Sequence, residues 1–141
     1  MYSDTVTVFN KLGDSWYPHI LTNVTLHKTK GANIAEVGAD SADTAKLNIR
    51  YEKTGGQIRI GALLYYAPKA WKAANTPDAS ITFNEAVDFF IEGEYPESTV
   101  QDGEYRDGFY NYLKTTRDNV FLVTTVDGPF KLIPHFEVGG K

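Results

Sequence analysis

Ala45-Lys46-Leu47-Asn48-Ile49-Arg50-Tyr51 alternates without a break, with Leu47, Ile49 and Tyr51 on one side and Lys46, Asn48 and Arg50 on the other. Successive side chains of a strand point to opposite faces, so the stretch predicts a strand with one face in a core and the other in water. Gly55-Gly56 follows and supplies the positive-φ capacity of a hairpin turn, leading into a strand over 57–60. Further along, 63–67 is apolar enough for a strand, and 68–74 predicts one or two helical turns with Pro68 tolerated at the start. Asn75-Thr76-Pro77-Asp78 breaks that helix. Strands are expected at 80–83 and 88–95, joined by Asn84-Glu85-Ala86-Val87. Residues 96–107 read as a polar, acidic, exposed loop. A helix is expected over 109–116, because Tyr105, Phe109, Tyr112 and Leu113 share one face. The chain closes on a hairpin: 120–126, an Asp127-Gly128 turn signal, then 130–138.

Upstream of the opening stretch, Thr5-Val6-Thr7-Val8-Phe9-Asn10 is a β-branched strand ended by Asn10 and the turn residues Gly13-Asp14. Residues 15–21 follow, with Pro18 confined to a sheet edge or a strand start by its missing N–H. Residues 23–30 alternate again, Val24 and Leu26 against Thr25 and His27. The segment 31–44 is ambiguous; a short helical turn around 33–37 and a polar excursion are expected there. The sum is about eight short strands and one or two short helices with no βαβ rhythm, in a single β-rich domain spanning 1–141. The expected fold is mainly β, an antiparallel β-sandwich or small barrel.

With 141 residues, such a domain should bury roughly 68–70% of its unfolded surface and needs no external staple. There are no cysteines, so disulfides and thiolate metal sites are out. The start, Met1-Tyr2-Ser3-Asp4, reads as no secretory signal, and no run has the length of an apolar membrane span; no membrane partner is expected. The formal charge is −4. The basic residues, densest at His27-Lys28-Thr29-Lys30 and at Lys114 and Arg117, make no stripe, so no sequence-specific nucleic-acid binding is expected. Aromatics are abundant, with nine Tyr, eight Phe and two Trp. They suit a β core, and tyrosine also suits protein interfaces.

Chemistry-bearing patterns are sparse. His19, His27 and His135 lie on three different predicted strands without ligand spacing, so no metal or other cofactor is expected. No Gly-x-Ser-x-Gly elbow or phosphate-binding glycine loop occurs. Residues 102–107 lack the odd-position spacing of a calcium loop. The densest carboxylates are Glu92, Glu94, Glu97, Asp102, Glu104 and Asp107, with Tyr95 and Tyr105 interleaved. They leave two alternatives open: a hydrolase using acidic residues between Glu94 and Asp107, and a carbohydrate- or host-surface-binding β module.

The opening Met1-Tyr2-Ser3-Asp4-Thr5-Val6-Thr7-Val8-Phe9-Asn10-Lys11, then Gly13-Asp14-Ser15-Trp16-Tyr17-Pro18, resembles a family of small phage and prophage structural proteins of the minor-capsid or head–tail connector kind. Tyr66-Ala67-Pro68-Lys69-Ala70-Trp71, Asp88-Phe89-Phe90-Ile91-Glu92-Gly93-Glu94, Arg106-Asp107-Gly108-Phe109-Tyr110 and Val126-Asp127-Gly128-Pro129-Phe130 continue the resemblance along most of the chain. The resemblance implies a non-enzymatic role in virion assembly, with portal, connector or tail components as partners and a homo-oligomeric ring in the particle. It places the protein in the host bacterial cytoplasm during assembly and then in the virion. It supplies no catalytic residue. On that reading, 96–107 with the adjoining helix edge becomes the expected protein-contact site, through Tyr95, Glu97, Asp102, Tyr105 and Tyr110, and removing 98–102 should leave folding intact.

Overall fold

The computed structural model describes residues 3–28 and 44–141. Its strands are β1 (Asp4–Leu12), β2 (Ser15–Lys28), β3 (Ala45–Arg50), β4 (Glu52–Thr54), β5 (Gln57–Ile60), β6 (Leu63–Tyr65), β7 (Ser80–Ile81), β8 (Phe89–Glu92), β9 (Val100–Gln101), β10 (Val120–Phe130) and β11 (His135–Gly140). The helices are α1 (Pro68–Ala74) and α2 (Phe109–Thr116). The expected helical turn at 33–37 lies outside the described residues.

β1, β8, β10, β11, β3 and β2 pair in that order, all antiparallel, and β2 pairs back onto β1. The sheet is thus a closed six-strand barrel, the smaller of the two architectures anticipated. Closure leaves the wall strands few free edges. Val6, Val8, Leu47, Ile49, Phe90, Phe136 and Val138 fill the interior, the alternation of β3 doing what its sequence predicts. A second sheet, β4-β5-β6-β7, packs Ile60, Ile81 and Phe83 onto the same core, with Phe83 5.5 Å from the Phe136 ring. Its β6–β7 pair is parallel and is bridged by α1, a small βαβ unit. It is a single such connection, without a repeating rhythm, and its strands are too short to show in the sequence pattern. The strands expected at 80–83 and 88–95 appear as β7 (Ser80–Ile81) and β8 (Phe89–Glu92), in different sheets.

β1 and β8 are buried on both faces. Val8 and Phe90 point into the barrel, while Phe9, Phe89 and Ile91 build a second core outside it with Trp16, Phe109, Leu113 and Val120. Phe9 stacks on Phe89 at 4.5 Å between ring centres, and Phe109 and Trp16 meet this pair edge-on at 5.4 and 4.9 Å. α2 exists to cover this outer core: Phe109 and Leu113, one turn apart, are its buried residues. Burying a side chain such as Phe109 contributes about 2–3 kcal/mol.

Candidate protein-contact site

The β10–β11 hairpin does not turn at Asp127-Gly128. Asp127 pairs with Glu137, the register shifts, and Phe130 pairs with His135, so the chain reverses over 131–134. Gly128, at φ 114 and with His135 O 3.1 Å from where a Cβ would stand, accommodates a bulge instead. The bulge moves the tip of the hairpin to Lys131-Leu132-Ile133-Pro134. Leu132 is 97% exposed, Ile133 62% and Phe130 40%. The base of this arm is held firmly. Tyr51 Oη donates to Phe130 O at 2.7 Å and Tyr51 N to Pro134 O at 3.3 Å. The His135 ring stacks on Phe130 at 4.8 Å and places Nδ1 2.6 Å from Ile133 O and Nε2 3.1 Å from Glu137. The Ile133 carbonyl and, behind it, the Glu137 carboxylate raise the affinity of His135 for a proton. A fixed scaffold thus presents adjacent aliphatic side chains to solvent, where they lose the favourable transfer that burial would give.

The five residues expected to make contacts lie elsewhere, and most are occupied within the chain. Tyr105 and Tyr110 pack their rings on Phe109 and Phe89 at 5.0 Å each. Tyr95 lies edge-on to Phe9, with Arg117 over its ring at 5.9 Å. Asp102 Oδ1 accepts both Trp16 Nε1–H and the N–H of Phe109, the first residue of α2, at 2.9 Å each. Those bonds, the Trp16 one foremost, hold the Asp102 carboxyl below the ordinary carboxylate range, with Lys11 at 3.7 Å helping. Residues 96–107 are largely exposed, as expected, but they are tied to the fold. They carry β9 onto β2 and a 3₁₀ turn at Asp102–Glu104, and removing 98–102 would take away the anchor of Trp16 and α2. Glu97 alone faces an open backbone: its Oε2 accepts Ile20 N–H at 2.8 Å.

Sequence reasoning missed a buried polar centre at the end of β1. Asn10 does not end the strand. It is fully buried, donates Nδ2–H to Thr82 O at 2.7 Å and to Asp88 Oδ2 at 2.9 Å, and accepts Thr82 N–H at 3.2 Å. Asp88 also accepts the N–H groups of Lys11 and Asn84 at 3.1 and 3.0 Å. Burial pushes its carboxyl up to about 7 against the opposing pull of those donors. The centre ties the barrel wall to the segment after β7 and stands beside a cavity of about 290 Å³ that Lys11, Trp71 and Lys72 also line. The acidic residues of 92–107 show no such convergence. Glu92 binds Lys28 and Asn119, Glu97 binds Ile20, and Asp102 binds Trp16. Among the described residues no group of three His, Cys, Asp or Glu side chains is placed to hold a metal ion, and no helix is long and apolar enough to cross a membrane.

Residues 1–141 match a family described as "Family of unknown function (DUF6751)". The chain belongs to DUF6751. Neither the curated proteins nor the solved structures give a match. For this DUF6751 member, the functional reading accordingly rests on its own surface.

Proposed function

We propose that the protein is a structural assembly protein of a phage or prophage particle, of the head–tail connector or minor-capsid kind, acting through protein–protein contacts. The observation that carries this reading is the braced hairpin tip with Leu132 and Ile133 held in solvent. Contiguous exposed aliphatics on a rigid arm gain free energy when a partner covers them, which is the physical requirement of an assembly contact. The net charge of −4 suits a subunit beside packaged DNA, since it gives no general grip on phosphate. The partners in this reading are portal, connector or tail components, with copies of the chain arranged in a ring by head-to-tail contacts.

The test is genetic and structural together. In a lysogen whose prophage carries the gene, purified particles should contain the chain by mass spectrometry. Replacing the native copy by Leu132→Glu with Ile133→Glu should leave a folded protein and separate heads from tails. Normal infectious particles from a deletion strain would refute the reading.

A further inference from the structure

The barrel wall parts beside β2. Its first half pairs with β1 up to Leu21, and its second half pairs with β3 from Val24 onward. Between these, Asn23 takes φ 57 and the register against β1 shifts. On the edge away from β1, β9 covers only Ser15 and Trp16, and β3 begins only at Val24. The edge over 17–22 therefore has no ladder partner among the described residues. Chain alternation fixes which groups it presents. Ile20 N–H points outward, because it meets Glu97, so Ile20 C=O and Pro18 C=O point outward too. Pro18 has no N–H to leave unpaired, which is why it is tolerated here.

This edge forms one wall of a cleft of about 900 Å³, with Ile60, Gly61 and Leu63 of the second sheet opposite. His19, only 4% exposed, also lines it, with the backbone of Pro77 and Ser80 beside its ring. Glu97 occupies the place that the carbonyl of a neighbouring strand would take at Ile20. A side-chain carboxylate on an otherwise open edge is a reversible cover: it satisfies one donor without committing the backbone.

We propose that the β2 edge over 17–22 is a docking site for an extended segment of a partner polypeptide, added as a further strand, with Glu97 as the cover it displaces. Six residues of edge offer about 20 Å, enough for a strand of ordinary length. Carboxylates outnumber guanidiniums on the cleft walls, Glu52, Asp78 and Glu97 against Arg50 and Arg59, and Glu97 loses its amide partner on displacement. The fitting segment therefore carries a lysine or arginine beside its backbone contact with Ile20. Main-chain hydrogen bonds at Ile20 supply affinity, and the cation supplies selectivity. The site is separate from the hairpin tip, and the proposal stands or falls without the tip reading.

The probe is a bead-bound library of random decapeptides, selected on the full-length protein, with the enriched sequence then synthesised. The bound peptide should contain Lys or Arg and slow hydrogen exchange at the Ile20 amide at least 10-fold. N-methylation at every second residue, in the register that faces β2, should weaken it at least 10-fold. Ile20→Pro removes the outward N–H, at the cost of the half-buried isoleucine side chain, and should abolish binding; the N-methylated peptide gives the same answer if that variant does not fold. No enriched binder, binding that maps to the hairpin tip, indifference to N-methylation, or Ile20 protection caused by a second copy in a concentration-dependent dimer would each overturn the proposal.

Discussion

Asp88 couples the fold to pH through a single buried carboxyl. Its folded-state pKa of about 7 lies above the ordinary carboxylate value of 3.8 because burial disfavours the charge. A group whose pKa is raised on folding adds stability below its unfolded value and loses it as pH rises through its folded value. The urea midpoint should therefore fall as the pH rises from about 4 to about 7 and level off above that. Asp88→Asn should flatten that dependence, and an unchanged fall in the variant would assign it to another group. Asn10→Ala should cost about 3 kcal/mol, since it strands the buried N–H and C=O of Thr82 together; chemical denaturation measures it. Neither residue is legible in the sequence as a core group. Asparagine and aspartate beside strands look like strand-enders, and Asn10 has that appearance until Thr82, 72 residues away, is brought to it. Asp102 is hidden for the same reason: its role depends on Trp16 and Phe109 arriving at one carboxylate oxygen. Its depressed pKa makes the opposite prediction, a contribution present above the unfolded carboxylate value and lost as pH falls through the folded one. Asp102→Asn should therefore lose less stability than the parent on going from pH 5 to pH 3.

At the scale of elements, periodicity was informative wherever one face is buried and the other wet. β3 and α2 lie where their spacing puts them, 45–50 and 109–116. The hairpin was legible as a hairpin and misplaced in its turn. Asp127-Gly128 is a strong turn signal, yet the backbone uses Gly128 for a bulge, and the reversal falls on Leu132-Ile133, which carry no turn chemistry. That mismatch has a consequence for substitution. Leu132→Ser with Ile133→Ser should change stability by no more than about 0.5 kcal/mol, because neither side chain is packed. Phe109→Ala, by contrast, should cost about 3–5 kcal/mol by emptying the outer core. At the end of β11, Gly140 leaves no room for a side chain: a Cβ there would stand 2.9 Å from Phe121 Cβ and 3.0 Å from Leu122 O. Gly140→Ala should therefore lower the melting temperature, whereas Gly61→Ala, with nothing near its Cβ position, is strained only by its φ of +61.

For the molecule as a whole, the barrel explains why many short strands of modest hydrophobicity suffice. Closure satisfies the ladder almost everywhere, and two cores share β1 and β8 as a common wall. Mainly β character and antiparallel pairing were readable from alternation and turn spacing. Barrel closure was one of two architectures the pattern allowed; the parallel β6–β7 pair and the split beside β2 were not readable, because they depend on which distant strands meet. The same holds for function. A tyrosine- and carboxylate-rich stretch attracts attention in the sequence and stays largely exposed, but its Tyr95, Asp102, Tyr105 and Tyr110 are engaged within the chain, whereas the aliphatic tip is not. In the proposed role, the barrel works by seating its hairpin tip against a neighbouring subunit. Its most direct test is a reconstruction of the intact particle from the prophage that carries the gene. The account predicts density for the chain at the head–tail junction with Leu132 and Ile133 buried against another polypeptide; a particle without the chain, or one in which both side chains still face solvent, would contradict it.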